Sequence, residues 1–216
     1  MLPLALGTST NAPLCVLCIG AHSDDIEIGC GGTILRLLSE RPNCAVHWVV
    51  LSSNQQREQE ARSSAAELLR EAAVATVVVR NYRESYFPYV ADQIKDGFEE
   101  LKAIDPDVVF THHRHDVHQD HRLVAELTWN TFRNHLILEY EIPKYEGDLG
   151  HPSLYVPISR ELAENKTAML LRNFSTQRSR SWFRPEVFRG LMVLRGIECN
   201  APDGYAEAFH MRKCII

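Results

Sequence analysis

Two short segments hold most of the side chains capable of chemistry. The first runs Ala21-His22-Ser23-Asp24-Asp25 and on through Glu27 to Gly31-Gly32-Thr33. The second is His112-His113-Arg114-His115-Asp116-Val117-His118-Gln119-Asp120-His121-Arg122, with five of the chain's ten histidines. Imidazole and carboxylate at this density form the ligand set of a divalent cation, with acid and base groups to spare. A fold that joins the two segments would be equipped for metal-assisted hydrolysis.

Zinc in a hydrolase takes three protein ligands and leaves one position for water. His22, Asp25 and His121 supply two imidazoles and one carboxylate for that purpose. Asp24 diverges from Asp25 in a turn, which frees it to act as general base on a water acidified by the metal. His118, one turn before His121, would stabilise the tetrahedral oxyanion or protonate the leaving nitrogen. Asp120 would orient His118, or else cap the helix that follows. His112, His113 and His115 stay outside the ligand set. Two alternatives stand beside this reading. His22-x-Asp24 with a distant histidine also satisfies the facial triad of a non-haem iron enzyme, so Fe2+ is a second candidate metal. The adjacent Asp25 is superfluous for oxygen activation and speaks against that triad. A non-catalytic metal-binding protein is the other alternative, and it would need neither Asp24 nor His118.

These residues must be delivered by strands and helices. Leu14 to Gly20, Ala45 to Leu51, Thr76 to Arg80 and Asp107 to Thr111 are short apolar runs that predict strands. Helical patterns lie between and after them, at Thr33 to Leu38 following a Gly-Gly turn, Arg57 to Ala72, Ala91 to Ile104 and Asp120 to Phe132. The alternation predicts an α/β, three-layer Rossmann-like fold, its mainly parallel sheet covered by helices on both faces. Both polar segments begin where a predicted strand ends, and open α/β sheets bind ligands at the carboxyl ends of their strands. Later, Leu136 to Ile142 reads as a strand, Pro143 to Pro152 as a Pro/Gly/Asp-rich connection, and Glu161 to Phe174 and Pro185 to Gly196 as helices; Tyr205 to Phe209 reads as a terminal strand or turn. No linker composition separates this part, so residues 1–216 read as one domain with 137–216 an elaboration of it.

The balance of the chain narrows the partners. With 45% hydrophobic residues and a net charge of −5, it can bury a sizeable core and offers no strong positive field to nucleic acid or anionic lipid. No apolar run reaches the roughly 20 residues of a membrane span. Met1 to Leu6 lacks the charged start of a secretory signal, so a cytoplasmic protein acting on a small molecule is expected, and a homo-oligomer is compatible with the sequence. Cys15 and Cys18 form a C-x-x-C inside an apolar strand, which predicts inert buried thiols.

Ala-His-Ser-Asp-Asp-Ile-Glu-Ile-Gly-Cys-Gly-Gly-Thr (21–33) and His-Asp-Val-His-Gln-Asp-His-Arg (115–122) resemble the paired signatures of the PIG-L/LmbE-like zinc de-N-acetylases. The resemblance extends over at least residues 14 to 122, and Tyr205 to Phe209 is similar to the family's C-terminal stretch. It implies a hydrolase removing an N-acetyl group from an N-acetylglucosamine-type amino sugar or conjugate. By matching positions it implies His22, Asp25 and His121 as zinc ligands, Asp24 as base and His118 as electrophilic partner. Ser23 replaces the family's usual proline, and Ser52 to Gln56 replaces a glycine-rich stretch. Arg57-Glu58-Gln59-Glu60-Ala61 keeps an R-x-x-E-A pattern, which makes Arg57 a candidate substrate contact.

Several further features have plainer readings. Gly29-Cys30-Gly31-Gly32 lacks the spacing of a nucleotide-binding loop and predicts a tight turn. Arg178, Arg180 and Arg184 around Trp182 predict a solvated surface more than a phosphate grip. Tyr86, Tyr89, Tyr145 and Trp182 are candidate sugar-stacking platforms.

Overall fold

The computed structural model describes residue 6 and residues 9–215; the N-terminal run before Leu6 lies outside the described residues. Five strands, β1 (Leu14–Gly20), β2 (Cys44–Val50), β3 (Val74–Val79), β4 (Val108–His112) and β5 (Leu136–Tyr140), pair in parallel. β6 (Leu154–Ile158) and β7 (Tyr205–Met211) extend the same sheet, β7 running antiparallel to both its neighbours, in the order β3-β2-β1-β4-β5-β7-β6. The expected α/β fold is the observed one.

Alternating side chains of each strand feed two separate cores, as a parallel sheet buried on both faces requires. Val16, Cys18, Val46 and Trp48 pack on one face with α1 (Asp25–Glu40), α2 (Gln55–Leu68), α5 (Arg160–Asn173) and α6 (Pro185–Cys199). Leu17, Ile19 and Val49 pack on the other with α3 (Ala91–Leu101) and α4 (Gln119–Thr131). Among the described residues no helix is long and apolar enough to cross a membrane.

Two local readings need correction. The predicted turn at Gly29-Cys30-Gly31-Gly32 is helix interior, because α1 starts at Asp25 rather than Thr33. Tertiary contact overrides helix propensity here. A Cβ on Gly29 would lie 2.3 Å from Cδ2 of the buried Tyr140, and one on Gly32 would lie 2.8 Å from Ile158 Cδ1. The glycines let α1 approach the sheet, and they also admit a buried ion pair. Lys166 Nζ donates to Ile28 C=O (2.6 Å) and Glu207 Oε1 (2.5 Å). Glu207 in turn accepts the N–H groups of Gly32 (2.9 Å) and Thr33 (2.7 Å). Ile28 C=O and Gly32 N–H are partners in an uninterrupted helix, so the two side chains serve backbone groups of a single turn. The second correction is β6, which Pro157 hid; as an edge strand β6 tolerates proline.

Candidate metal centre

β1 and β4 are neighbours across the point where the strand order reverses, and their carboxyl ends open into the crevice where such sheets bind ligands. β1 ends at Gly20, and α1 begins five residues later at Asp25. The intervening turn presents His22, Ser23 and Asp24, all buried. β4 ends at His112, and its segment closes on α4, whose N-cap is His118; the His118 Nδ1 accepts the Asp120 N–H (3.3 Å).

Three donor atoms from the two segments form a compact triangle. His22 Nδ1 lies 3.1 Å from His121 Nε2 and 3.2 Å from Asp25 Oδ2, and the third edge is 3.5 Å. Tetrahedral bonds of about 2.0–2.1 Å separate their ligands by about 3.3–3.4 Å, so the triangle fits one divalent ion. The far side of each imidazole is held by a carboxylate. His22 Nε2 meets Asp120 Oδ2 at 3.1 Å, and His121 Nδ1 meets Asp116 Oδ2 at 2.9 Å. Such outer carboxylates fix the ring orientation and leave the inner nitrogen for a metal.

Other donor sets overlap this one. Asp25, His112 and His121 also offer atoms within 4.8 Å, as do His22, His118 and His121. His112 Nε2, however, is engaged by the Ala21 N–H at 2.9 Å. The His112 ring stacks on His121 with centroids 3.9 Å apart and planes 20° from parallel. His113 turns away, bonds Glu139 (2.7 Å) and stacks on His210.

Asp24 stands beside the triangle. Arg57 Nη2 donates to its Oδ1 at 2.5 Å, while Oδ2 is buried with no partner among the described residues. Asn54 makes that pairing by accepting the Gln56 (3.1 Å) and Arg57 (3.0 Å) N–H groups, which fixes the start of α2. The candidate substrate contact Arg57 is thus committed to the candidate base. The carboxylate oxygen that closes the triangle with His22 and His121 is that of Asp25, whereas Asp24 Oδ1 is engaged by Arg57.

Burial and charge set the proton affinities. Burial disfavours a charged His22, but the charge of Asp25 and the hydrogen bonds the ring donates to Asp120 and Asp25 push it up to about 10. Burial and the neighbouring His112 pull His121 down to about 3, so at neutral pH its inner nitrogen is unprotonated and accepts from the His22 Nδ1–H at 3.1 Å. Asp24 is raised by burial against the pull of Arg57. Asp25 is held well below the usual carboxylate range, the surrounding imidazoles outweighing its burial. His118 is lowered by burial and by His22. With Nδ1 accepting a backbone N–H, its neutral ring carries the proton on Nε2.

Asp120 is placed differently from expectation. Its carboxylate lies on His22, not His118, and also accepts the N–H groups of Ser85 (2.6 Å) and Phe87 (3.2 Å). It thereby anchors a loop whose Ser85 has a φ of 65°, a sparsely populated region for a non-glycine residue. Tyr86 and Tyr89 on that loop are exposed, and so is Tyr145. Arg178 is spent on the Leu171 carbonyl (2.7 Å) and is not available to a phosphate. All six cysteines are free thiols, Cys18 buried in β1 and Cys15 half-buried. Sequence reasoning missed Asp116, although Asp116-x4-His121 places a carboxylate at the mouth of the helix that carries His121.

A family model described as PIG-L: GlcNAc-PI de-N-acetylase matches residues 17–132, which include both segments. The uncharacterized deacetylase YaiS of Escherichia coli K12 is 29% identical over 157 residues, 66% of this chain and 82% of that protein. The solved N,N'-diacetylchitobiose deacetylase of Pyrococcus horikoshii superposes with a TM-score of 0.68 at 23% identity, covering 92% of this chain and 83% of its own. GalB, a 4-carboxy-2-hydroxymuconate hydratase of Pseudomonas putida KT2440, superposes with a TM-score of 0.74 at 16% identity, covering 94% and 98%. At these identities the structural likenesses establish the fold, which serves more than one reaction.

Proposed function

The chain belongs to the PIG-L (GlcNAc-PI de-N-acetylase) family, and on that basis we propose that it is a zinc-dependent hydrolase removing an N-acetyl group from an amino sugar or sugar conjugate. One observation carries the reading. Asp24 is buried against the triangle without belonging to it, with one oxygen held by Arg57 and the other uncommitted. Metal binding alone needs no such group, whereas hydrolysis needs a base beside the attacking water.

His22, Asp25 and His121 would hold the ion. Bound zinc would supply a Lewis acid for the amide carbonyl and lower the pKa of water toward about 7. Asp24 Oδ2 takes the proton of the attacking water, and Arg57 opposes the rise that burial imposes on that carboxyl. His118 presents Nε2–H to the oxyanion of the tetrahedral intermediate, and Asp24 returns the proton taken from water to the departing nitrogen. Asp120 serves twice, its N–H fixing the His118 tautomer and its carboxylate the His22 ring.

The test is acetate release by zinc-loaded and chelated protein, offered free, lipid-linked, nucleotide-linked and aminoglycoside-type N-acetylglucosamine compounds. Metal-dependent acetate is expected from at least one. Silence across the panel, with one zinc bound per chain, would overturn the assignment. Comparing Fe2+-loaded with Zn2+-loaded protein in the same assay identifies the working metal.

A further inference from the structure

The geometry points to Lys144 as a positioning residue for His121, an inference that rests on His121 being a metal ligand. Asp116 Oδ2, which holds His121 Nδ1 at 2.9 Å, also receives Lys144 Nζ at 3.0 Å. Asp116 Oδ1 accepts the His118 N–H at 2.8 Å, so both oxygens of this carboxylate are assigned. Lys144 Nζ is held from its other side by Asp148 Oδ1 at 2.5 Å, and Asp148 Oδ2 accepts the Val117 N–H at 2.7 Å. The result is a continuous relay, Asp148–Lys144–Asp116–His121, whose side chains are all 10% exposed or less.

The relay joins elements distant in sequence. Asp116 and Val117 belong to the segment between β4 and α4, and Lys144 and Asp148 to the Pro/Gly/Asp-rich connection from β5 to β6. A buried ammonium shared by two carboxylates keeps them from repelling each other. It also fixes which lone pair of Asp116 faces the imidazole, and hence the angle at which His121 Nε2 enters the triangle. Without Lys144, Asp116 keeps its bond to the His118 N–H but loses the partner that balances its charge. Residues that orient a ligating imidazole typically change metal affinity by 10–100-fold when removed. Lys144 acts one contact further out, which places its effect at the lower end.

The experiment measures zinc affinity by chelator competition and the visible spectrum of the cobalt(II)-loaded protein, neither of which depends on turnover. Lys144→Met should weaken zinc binding about tenfold and shift the cobalt bands, while the metal-free protein melts near the wild-type temperature. Lys144→Arg, which retains a cation for Asp116, should recover most of the affinity. Wild-type affinity and spectrum in Lys144→Met overturn the inference while the metal site stands. Failure of the wild type to hold zinc, or retention of zinc by His121→Ala, overturns the metal-site reading and this inference together. If Lys144→Met does not fold, Asp148→Asn should show a smaller loss of the same sign, and unchanged affinity there overturns the inference.

Discussion

Arg57 and Asp24 form a single unit: the guanidinium donates to Asp24 Oδ1 at 2.5 Å, and both side chains are nearly buried. Burial raises the Asp24 carboxyl, while Arg57 opposes that rise. An opposite charge at this range favours the ionised carboxylate and lowers its pKa. Arg57→Ala should therefore move the acid limb of kcat/KM to higher pH and reduce the rate at pH 7 by tenfold or more. A pH–rate profile checks this. A profile that keeps its limb while KM alone rises would return Arg57 to the role of substrate contact.

Asp24→Asn should separate binding from chemistry. The triangle of His22, Asp25 and His121 is left intact, so bound zinc stays at one per chain, whereas kcat falls by about 10²–10⁴-fold. His22→Ala and His121→Ala should lose the metal itself, and His112→Asn should retain it, since His112 Nε2 is occupied by a backbone N–H. Metal analysis of the four purified variants decides among the overlapping donor sets.

His210 makes stability depend on pH on the acid side. Burial and the neighbouring His113 lower it from 6.5 to about 4, so between these values the unfolded chain binds the proton and the native chain does not. Stability should then rise with pH from about 4 to 6.5 and be lost as pH falls through that window. Urea titrations of the metal-free protein at intervals across it should show a shallower slope for His210→Asn than for the wild type.

Two helical glycines should respond to alanine with opposite signs. At Gly190 a Cβ meets nothing within 4 Å, so Gly190→Ala should stabilise by about 0.5–1 kcal/mol through helix propensity. At Gly29 the same gain is opposed by a Cβ 2.3 Å from the Tyr140 ring, which cannot swing aside because its hydroxyl donates to Ile19 C=O at 2.7 Å. Overpacking costs about 1–3 kcal/mol, and Gly29→Ala should be destabilising overall. Denaturation midpoints of the two variants give the signs directly.

The outline of the fold and the delivery of two polar segments to one sheet edge were legible in the sequence, because parallel strands buried on both faces read as unbroken apolar runs. What stayed illegible depends on contacts between distant residues. Nothing local marks Gly29 as a site of close approach to Tyr140, so its cluster reads as a turn. Nothing local to Arg57 shows that its guanidinium reaches Asp24, which depends on the first turn of α2 lying beside the turn after β1. Asp120 adjoins His121 in sequence, yet its carboxylate serves His22. Lys144 lies in a stretch whose composition predicts only a connection.

The ion pair of Lys166 and Glu207 gives the chain an indivisible character. A fragment ending at Phe132 would contain every candidate ligand, the base and His118, and would span the whole stretch matched by the family model. It would lack the two charges that serve Ile28, Gly32 and Thr33, the ring that seats Gly29, and the ammonium behind Asp116. The motifs could not be lifted out as a minimal hydrolase or grafted onto another scaffold without these supports. The last third of the chain is the mould in which the turn between β1 and α1 is cast.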